Sequence, residues 1–246
     1  MEPTPCPVVS LSFLAKGQDY AAVGYPDLMP FSFPKIYPIL DSSFIDASVT
    51  PATGRQEFLR RLGSGLAEAG VTLLEYRNKT GSDAEILQDA AALRSAMPAP
   101  KIKLILDDRA DLVEQAGFDG VHVDLGDISP SEARRLLGPD RIVGTFGGSD
   151  ALLPSILEEP ADYWAIGPVF TTTTKQTSKA PIGVEGVRKL REQAGPKRIL
   201  TAAAGITLET APAVLAAGAS AVAVAAAIFR TPDPAAEFRR WNAILG

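Results

Sequence analysis

Residues 102–123 read IKLILDDRADLVEQAGFDGVHV. An apolar run, Ile102–Asp107, ends in two acids and an arginine. A mixed stretch follows and stops at Ala116-Gly117, and a second apolar run, Gly120–Val123, begins almost at once. Runs of Ile, Leu and Val without a polar alternation suit strands buried on both faces. A glycine just past the last helical residue is a common helix stop. The stretch therefore predicts strand, helix, strand.

The same rhythm recurs outward from it. Further apolar runs lie at Ile36–Leu40, Val71–Arg77, Ile142–Thr145, Tyr163–Ile166, Ile199–Ala203 and Ala221–Val224. Ser82-Asp83-Ala84-Glu85 and Ser129-Pro130-Ser131-Glu132 have the form of capping boxes, the second with proline at the first helical position. Thr207 is read as the cap of a helix through Leu215, and Ala69-Gly70 and Ala217-Gly218 as helix ends. Eight strands alternating with helices leave a closed barrel or an open doubly wound sheet. No GxGxxG follows the first strand, and eight units fit between Ile36 and Gly246, so the reading is an α/β (β/α)8 TIM barrel.

Bulk properties agree. The 246 residues suit one barrel, and 46% apolar content suits a sizeable core. A net charge of −5 argues against a general nucleic-acid or membrane-surface binder. The single cysteine, Cys6, excludes an internal disulfide and fits a reducing compartment. No apolar run reaches the roughly 20 residues of a membrane span, and the start lacks the order of a secretion signal. The expectation is a cytoplasmic enzyme of small molecules, with no nucleic-acid or membrane partner and with room for a homo-oligomer. Residues 1–34, punctuated by Pro3, Pro5, Pro7, Pro26, Pro30 and Pro34, read as an irregular proline-rich N-terminal extension, and 35–246 as one catalytic domain. Met29 offers an alternative start.

A TIM barrel places its site at the C-terminal ends of the strands. Those ends carry Glu75-Tyr76-Arg77-Asn78-Lys79, then Asp107-Asp108-Arg109, then Asp124 and Asp127 after the strand holding His122. Thr171-Thr172-Thr173-Thr174-Lys175 follows the sixth strand, and Gly205 the seventh. Converging carboxylates and cations are costly unless paired. A hard divalent cation, with few protein ligands and the rest from water and phosphate, fits them. Arg77, Lys79 and Lys175 are the cations to hold such phosphates. The threonines and the amides near Gly205 offer a second anion site. Each piece also has an ordinary explanation: acids start helices, a threonine run makes a loop, and His122 reads more readily as a hydrogen-bonded barrel-interior residue than as a catalyst. Their coincidence at one end of successive strands favours a metal–diphosphate site beside a monophosphate site.

From Ile36 to Phe229 the chain resembles the thiamine-phosphate synthase family, through YRNK, DDRADL, AGFDGVHV, IGPVFTTTTK and AGIT followed by AGASAVAV. The resemblance implies a magnesium-dependent transferase that joins a hydroxymethylpyrimidine diphosphate to a thiazole phosphate and releases pyrophosphate. It implies Mg2+ on Asp108 and Asp127, and catalytic contacts to the pyrimidine diphosphate from Arg77, Lys79 and Lys175. Glu75, Tyr76, Asn78, Asp107 and Phe146 stand at further substrate-binding positions. Thr172, Thr173 and Thr174, with Gly205, Ala225 and Ala226, would receive the thiazole phosphate.

The chain departs from the family pattern in places. Glu75 and Asp107 replace the usual glutamine and asparagine, and Asp124-Leu125 a glycine-glutamine. Phe146-Gly147-Gly148 and Ala226 stand where serines are usual, and Ala204-Gly205 replaces a glycine pair. The alternatives are a thiazole tautomerase-like isomerase on the same barrel and a non-catalytic phosphate-ligand-binding barrel.

Overall fold

The structure is a computed structural model and describes residues 32–45, 52–172 and 179–246. Eight parallel strands close into a barrel in chain order. They are β1 (Ile36–Asp41), β2 (Leu73–Arg77), β3 (Lys103–Asp107), β4 (Gly120–Val123), β5 (Ile142–Gly148), β6 (Tyr163–Ile166), β7 (Ile199–Ala203) and β8 (Ala221–Val224). The helices are α1 (Ala52–Glu68), α2 (Asp83–Ala96), α3 (Val113–Ala116), α4 (Pro130–Leu137), α5 (Pro154–Glu158), α6 (Gly183–Ala194), α7 (Ala211–Ala216), α8 (Ala226–Phe229) and α9 (Pro234–Leu245). Closure comes from β1 on β8, with Ile36 paired to Val222. The TIM-barrel reading thus holds, and each of the eight apolar runs became a strand. β5 runs past its expected end at Thr145 to Gly148, with a register shift between Phe146 and Gly148.

Compact units divide at Met1–Ser32 and Phe33–Gly246. Residues 1–31, and so most of the expected extension, lie outside the described residues. Phe33 goes with the barrel, its ring 5.7 Å from that of Tyr37 and 5.1 Å from that of Tyr163. Among the described residues no helix is long and apolar enough to cross a membrane.

The local signals act as their chemistry requires. Ser82 accepts the Glu85 N–H at the start of α2, and Ser129 with Glu132 completes a capping box on α4. Thr207 is corrected: α7 starts only at Ala211, after a turn in which Thr210 N donates to Thr207 O at 3.1 Å. Pro212 has no N–H to give and so belongs in the first turn of a helix, which moves the start past Thr207.

The N-terminal face repeats one device. Arg94 of α2, Arg134 of α4 and Arg191 of α6 each bond several backbone carbonyls beneath the next strand. Each also holds a side chain, Asp119, Asp162 or Ser220, that accepts the first free N–H of β3, β5 or β7. These bonds satisfy carbonyls and amides that the ends of a ladder leave open. Arg134→Ala should therefore lower stability by about 1–2 kcal/mol, leaving the Asp162 carboxylate short of its cation. A fall in Tm with unchanged turnover is the expected reading. Unchanged Tm would show that the device does not carry stability.

Strand parity decides what faces the barrel axis. On β2, Leu74 and Tyr76 join the core between sheet and helices, while Glu75 and Arg77 line the central cavity. Parity gives Tyr37 and Ile39, Asp107, His122, Phe146, Ala165, Thr201, Ala203 and Ala223 to the same cavity from the other strands.

Candidate active site

The cavity measures about 270 Å³ and opens at the C-terminal ends of the strands. Its inner end is closed by two tyrosines fully enclosed in the barrel. Tyr37 donates to Glu75 Oε2 at 2.7 Å, the Tyr37 and Tyr163 hydroxyls lie 2.7 Å apart, and His122 Nδ1 lies 3.1 Å from Tyr163 Oη. Gly144 leaves room for this: a Cβ there would stand 2.0 Å from Tyr163 Cζ. His122 is thus a hydrogen-bonded barrel-interior residue, as expected, and its ring also lines the cavity.

Burial and the nearby Asp107 push the Glu75 carboxyl up to about 8. Asp107 rises to about 7, chiefly through burial, with Lys79 acting against the rise. Both tyrosines are raised as well, by burial and by the Glu75 charge.

Above Glu75 the charges alternate around the rim. Arg77 pairs with Asp41 and lies 3.4 Å from Asp107 Oδ2 through Nε. Lys79 reaches Asp107 Oδ2 at 3.0 Å and also contacts Asp108. Asp108 holds φ at 63°, in the left-handed region, and its N–H donates to His122 O at 2.8 Å. That turn aims its carboxylate at the rim instead of letting it cap a helix. Asp108 Oδ1 is buried without a hydrogen-bond partner. Asp127 accepts from Asp124 N at 2.8 Å, and burial and the Asp108 carboxyl beside it raise its pKa.

Two adjacent carboxylates with an unpaired buried oxygen fit a hard divalent cation that takes one or two carboxylates and completes its shell with water and phosphate. Among the described residues no three His, Cys, Asp or Glu side chains converge into a closed metal cage.

Other sequence-predicted positions divide. Phe146 lines the cavity with the Lys179 ammonium 4.5 Å above its ring, and Thr172 lines the mouth. Thr173, Thr174 and Lys175 lie outside the described residues. Gly205 has φ 68°, and a Cβ there would stand 2.5 Å from Thr171 O, so the loop after β6 rests directly on it. Ala203 pairs with Ala223, so Gly205 and Ala225, each two residues on, follow β7 and β8 at the same level, where Ala226 opens α8.

Tyr76 and Asn78, expected among the substrate contacts, lie off the cavity lining. Tyr76 is fully buried on the helix side of β2, opposite in parity to Glu75, and its hydroxyl meets Asp89. Asn78 spends its amide on Tyr76, Glu85 and the backbone of Thr80 and Gly81. Sequence reasoning missed Asp41, Tyr37, Tyr163 and Lys179. Asp41 ends β1 as Arg77 ends β2, so its place at a strand end was the available signal. The tyrosines gave none, because they sit within apolar runs.

The family described as thiamine monophosphate synthase matches residues 47–228. The chain belongs to that family. Thiamine-phosphate synthase from Koribacter versatilis is 40% identical over 206 residues, which cover 83% of this chain and 94% of that one. The enzyme of that name from Agrobacterium fabrum is 37% identical over 195 residues, 78% of this chain and 87% of that one. Thiamine phosphate pyrophosphorylase from Pyrococcus furiosus superposes with a TM-score of 0.65 at 24% identity, covering 86% of this chain and 95% of that one, a likeness of fold. The thiamine monophosphate synthase match thus spans β2 to β8 of the barrel.

Proposed function

We propose that the chain is a thiamine-phosphate synthase, a transferase acting on a hydroxymethylpyrimidine diphosphate and a thiazole phosphate. The observation that carries this is the alternating rim of Asp41, Arg77, Asp107, Lys79 and Asp108 above an aromatic-lined cavity, in a member of that family. The bond between the pyrimidine methylene and the diphosphate oxygen breaks, its electron pair leaving with pyrophosphate. The thiazole nitrogen then supplies the pair for the new C–N bond.

Arg77 and Lys79 are placed to bind the diphosphate and to take up its charge as it departs, with Lys175 the third cation. Asp108 and Asp127 would hold Mg2+, which supplies further neutralisation of the leaving group. Asp107, already between Arg77 and Lys79, keeps both ammonium and guanidinium near the rim when no phosphate is there. Phe146 and the alanines of β6, β7 and β8 offer flat and small apolar walls to the pyrimidine ring, and Glu75 a polar contact at its edge. Thr172, Thr173, Thr174, Gly205, Ala225 and Ala226 form the proposed thiazole-phosphate side. The single cysteine and small-molecule substrates suit a reducing, cytoplasmic setting.

Purified chain given both substrates and magnesium should form thiamine phosphate and pyrophosphate. Conversion between thiazole isomers without metal, with no thiamine phosphate, would assign the barrel to isomerisation instead. Binding without turnover would leave it a ligand-binding barrel. Arg77→Ala and Lys79→Ala should each weaken pyrophosphate binding by ~1.5–3 kcal/mol, the scale of a charged hydrogen bond. Calorimetry with unchanged affinity in both variants would remove these cations from the diphosphate site.

A further inference from the structure

We propose that Asn78, Tyr76 and Asp89 are positioning residues that hold Lys79 at the barrel mouth from behind β2, through a buried hydrogen-bond chain anchored on Arg55. This rests on the reading of Lys79 as a diphosphate contact. The lysine side chain is long and flexible, so the reach of its ammonium depends on where its backbone is held as well as on its pairs with Asp107 and Asp108. That backbone lies in the turn between β2 and α2, and the Asn78 side chain shapes the turn. Asn78 Oδ1 accepts the N–H of Gly81 at 2.8 Å and of Thr80 at 3.3 Å, bracketing Lys79. The turn closes so tightly on the amide that a Cβ on Gly81 would stand 2.4 Å from Asn78 Nδ2.

The orientation of that amide is set from the helix layer. Asn78 Nδ2 donates to Tyr76 Oη at 3.1 Å and to Glu85 Oε1 at 3.0 Å, so both of its donors and its acceptor are engaged. Tyr76 can accept from Asn78 because its own proton goes to Asp89, whose side chain is fully enclosed. Arg55 of α1 pairs with Asp89 and fixes its orientation, with Nε 3.0 Å from both carboxylate oxygens and Nη2 2.7 Å from Oδ2. Each link fixes the direction of the next: guanidinium, carboxylate, phenol, amide, turn. Asn78, Tyr76, Asp89 and Arg55 do not line the cavity, and the link from their turn to the rim is Lys79, through its pairs with Asp107 and Asp108.

The test is a double-mutant cycle read by calorimetric affinity for inorganic pyrophosphate in magnesium and by KM for the diphosphate substrate. Asn78→Ala is expected to weaken pyrophosphate binding about tenfold and to raise KM. In the Lys79→Ala background the same change should cost almost nothing more, because no ammonium remains to be placed. Tyr76→Phe keeps the buried ring and removes only the hydroxyl link. It should fold, lose affinity in the same direction, and likewise lose nothing further without Lys79. Additive losses, or wild-type affinity and KM in Tyr76→Phe, would overturn the positioning chain while leaving the diphosphate reading in place. An unaltered chain that binds no pyrophosphate would remove the anion site and this inference together.

Discussion

Asp108→Asn should lower magnesium-dependent turnover at least about a hundredfold, the scale on which losing one electrostatic stabiliser of a transition state is felt. The barrel should remain folded. Asparagine keeps the shape of aspartate and is one of the few side chains other than glycine at home at positive φ, so the 63° backbone of this residue survives the change. Only the charge is lost, and with it the anionic oxygen that stands buried and unpaired beside Asp127. Alanine would be a poorer test, since it adds left-handed strain of about 1–2 kcal/mol to the loss of the carboxylate. Asp127→Asn is equally selective: an amide oxygen can still accept the Asp124 N–H that the carboxylate accepts now. Thiamine phosphate formation across a magnesium titration reads the effect. Wild-type rates in both variants, at all magnesium concentrations, would falsify the metal assignment.

The second large effect is on stability, and it comes from Glu75. Its folded carboxyl titrates near 8 against an ordinary 4.5, because burial and the Asp107 charge disfavour the anion. In that window the folded chain binds a proton that the unfolded chain has released. The stabilisation is therefore complete below about pH 4.5 and is lost as pH rises towards 8, by up to about 1.4 kcal/mol per pH unit for one proton. Asp107, raised to about 7, adds a slope of the same sign. Glu75→Gln removes one of the two protons while keeping an acceptor for the Tyr37 hydroxyl. Melting curves in chelator, from about pH 5 to about pH 9, should show a shallower decline for Glu75→Gln than for the unaltered chain, and a higher Tm on the alkaline side. Parallel profiles would mean that the Glu75 charge is already accommodated, by Arg77 or by water.

Much of the fold is legible from residue order alone, because barrel strands announce themselves as short apolar runs closed by turn residues. The eight runs and the caps at Ser82 and Ser129 depend on neighbours a few positions apart. Thr207 misled for a reason equally local: a threonine before an amphipathic stretch resembles a cap, but Pro212 governs where the helix begins. The site was legible in its charges and less so in its geometry. Arg77, Lys79, Asp107, Asp108 and Asp127 gather at one rim, as strand ends of a barrel must. Tyr76 and Asn78 share the segment Glu75–Lys79 but not its cavity face. Parity turns Tyr76 to the helices, and the Asn78 amide is spent on its own turn.

By itself the order of residues determined the number of strands, their alternation with helices, and which charges meet at the C-terminal end. These follow from burial of apolar runs and from the direction of parallel strands. Only the tertiary structure decided which side of each strand faces the axis, since a strand buried on both faces carries no visible alternation. It alone brought Tyr37 to Tyr163, 126 residues away, and set the Glu75 carboxyl against the Tyr37 hydroxyl in the barrel interior. Such contacts cross the interior of a closed sheet. They depend on the register accumulated around all eight strands, which no local stretch of sequence contains.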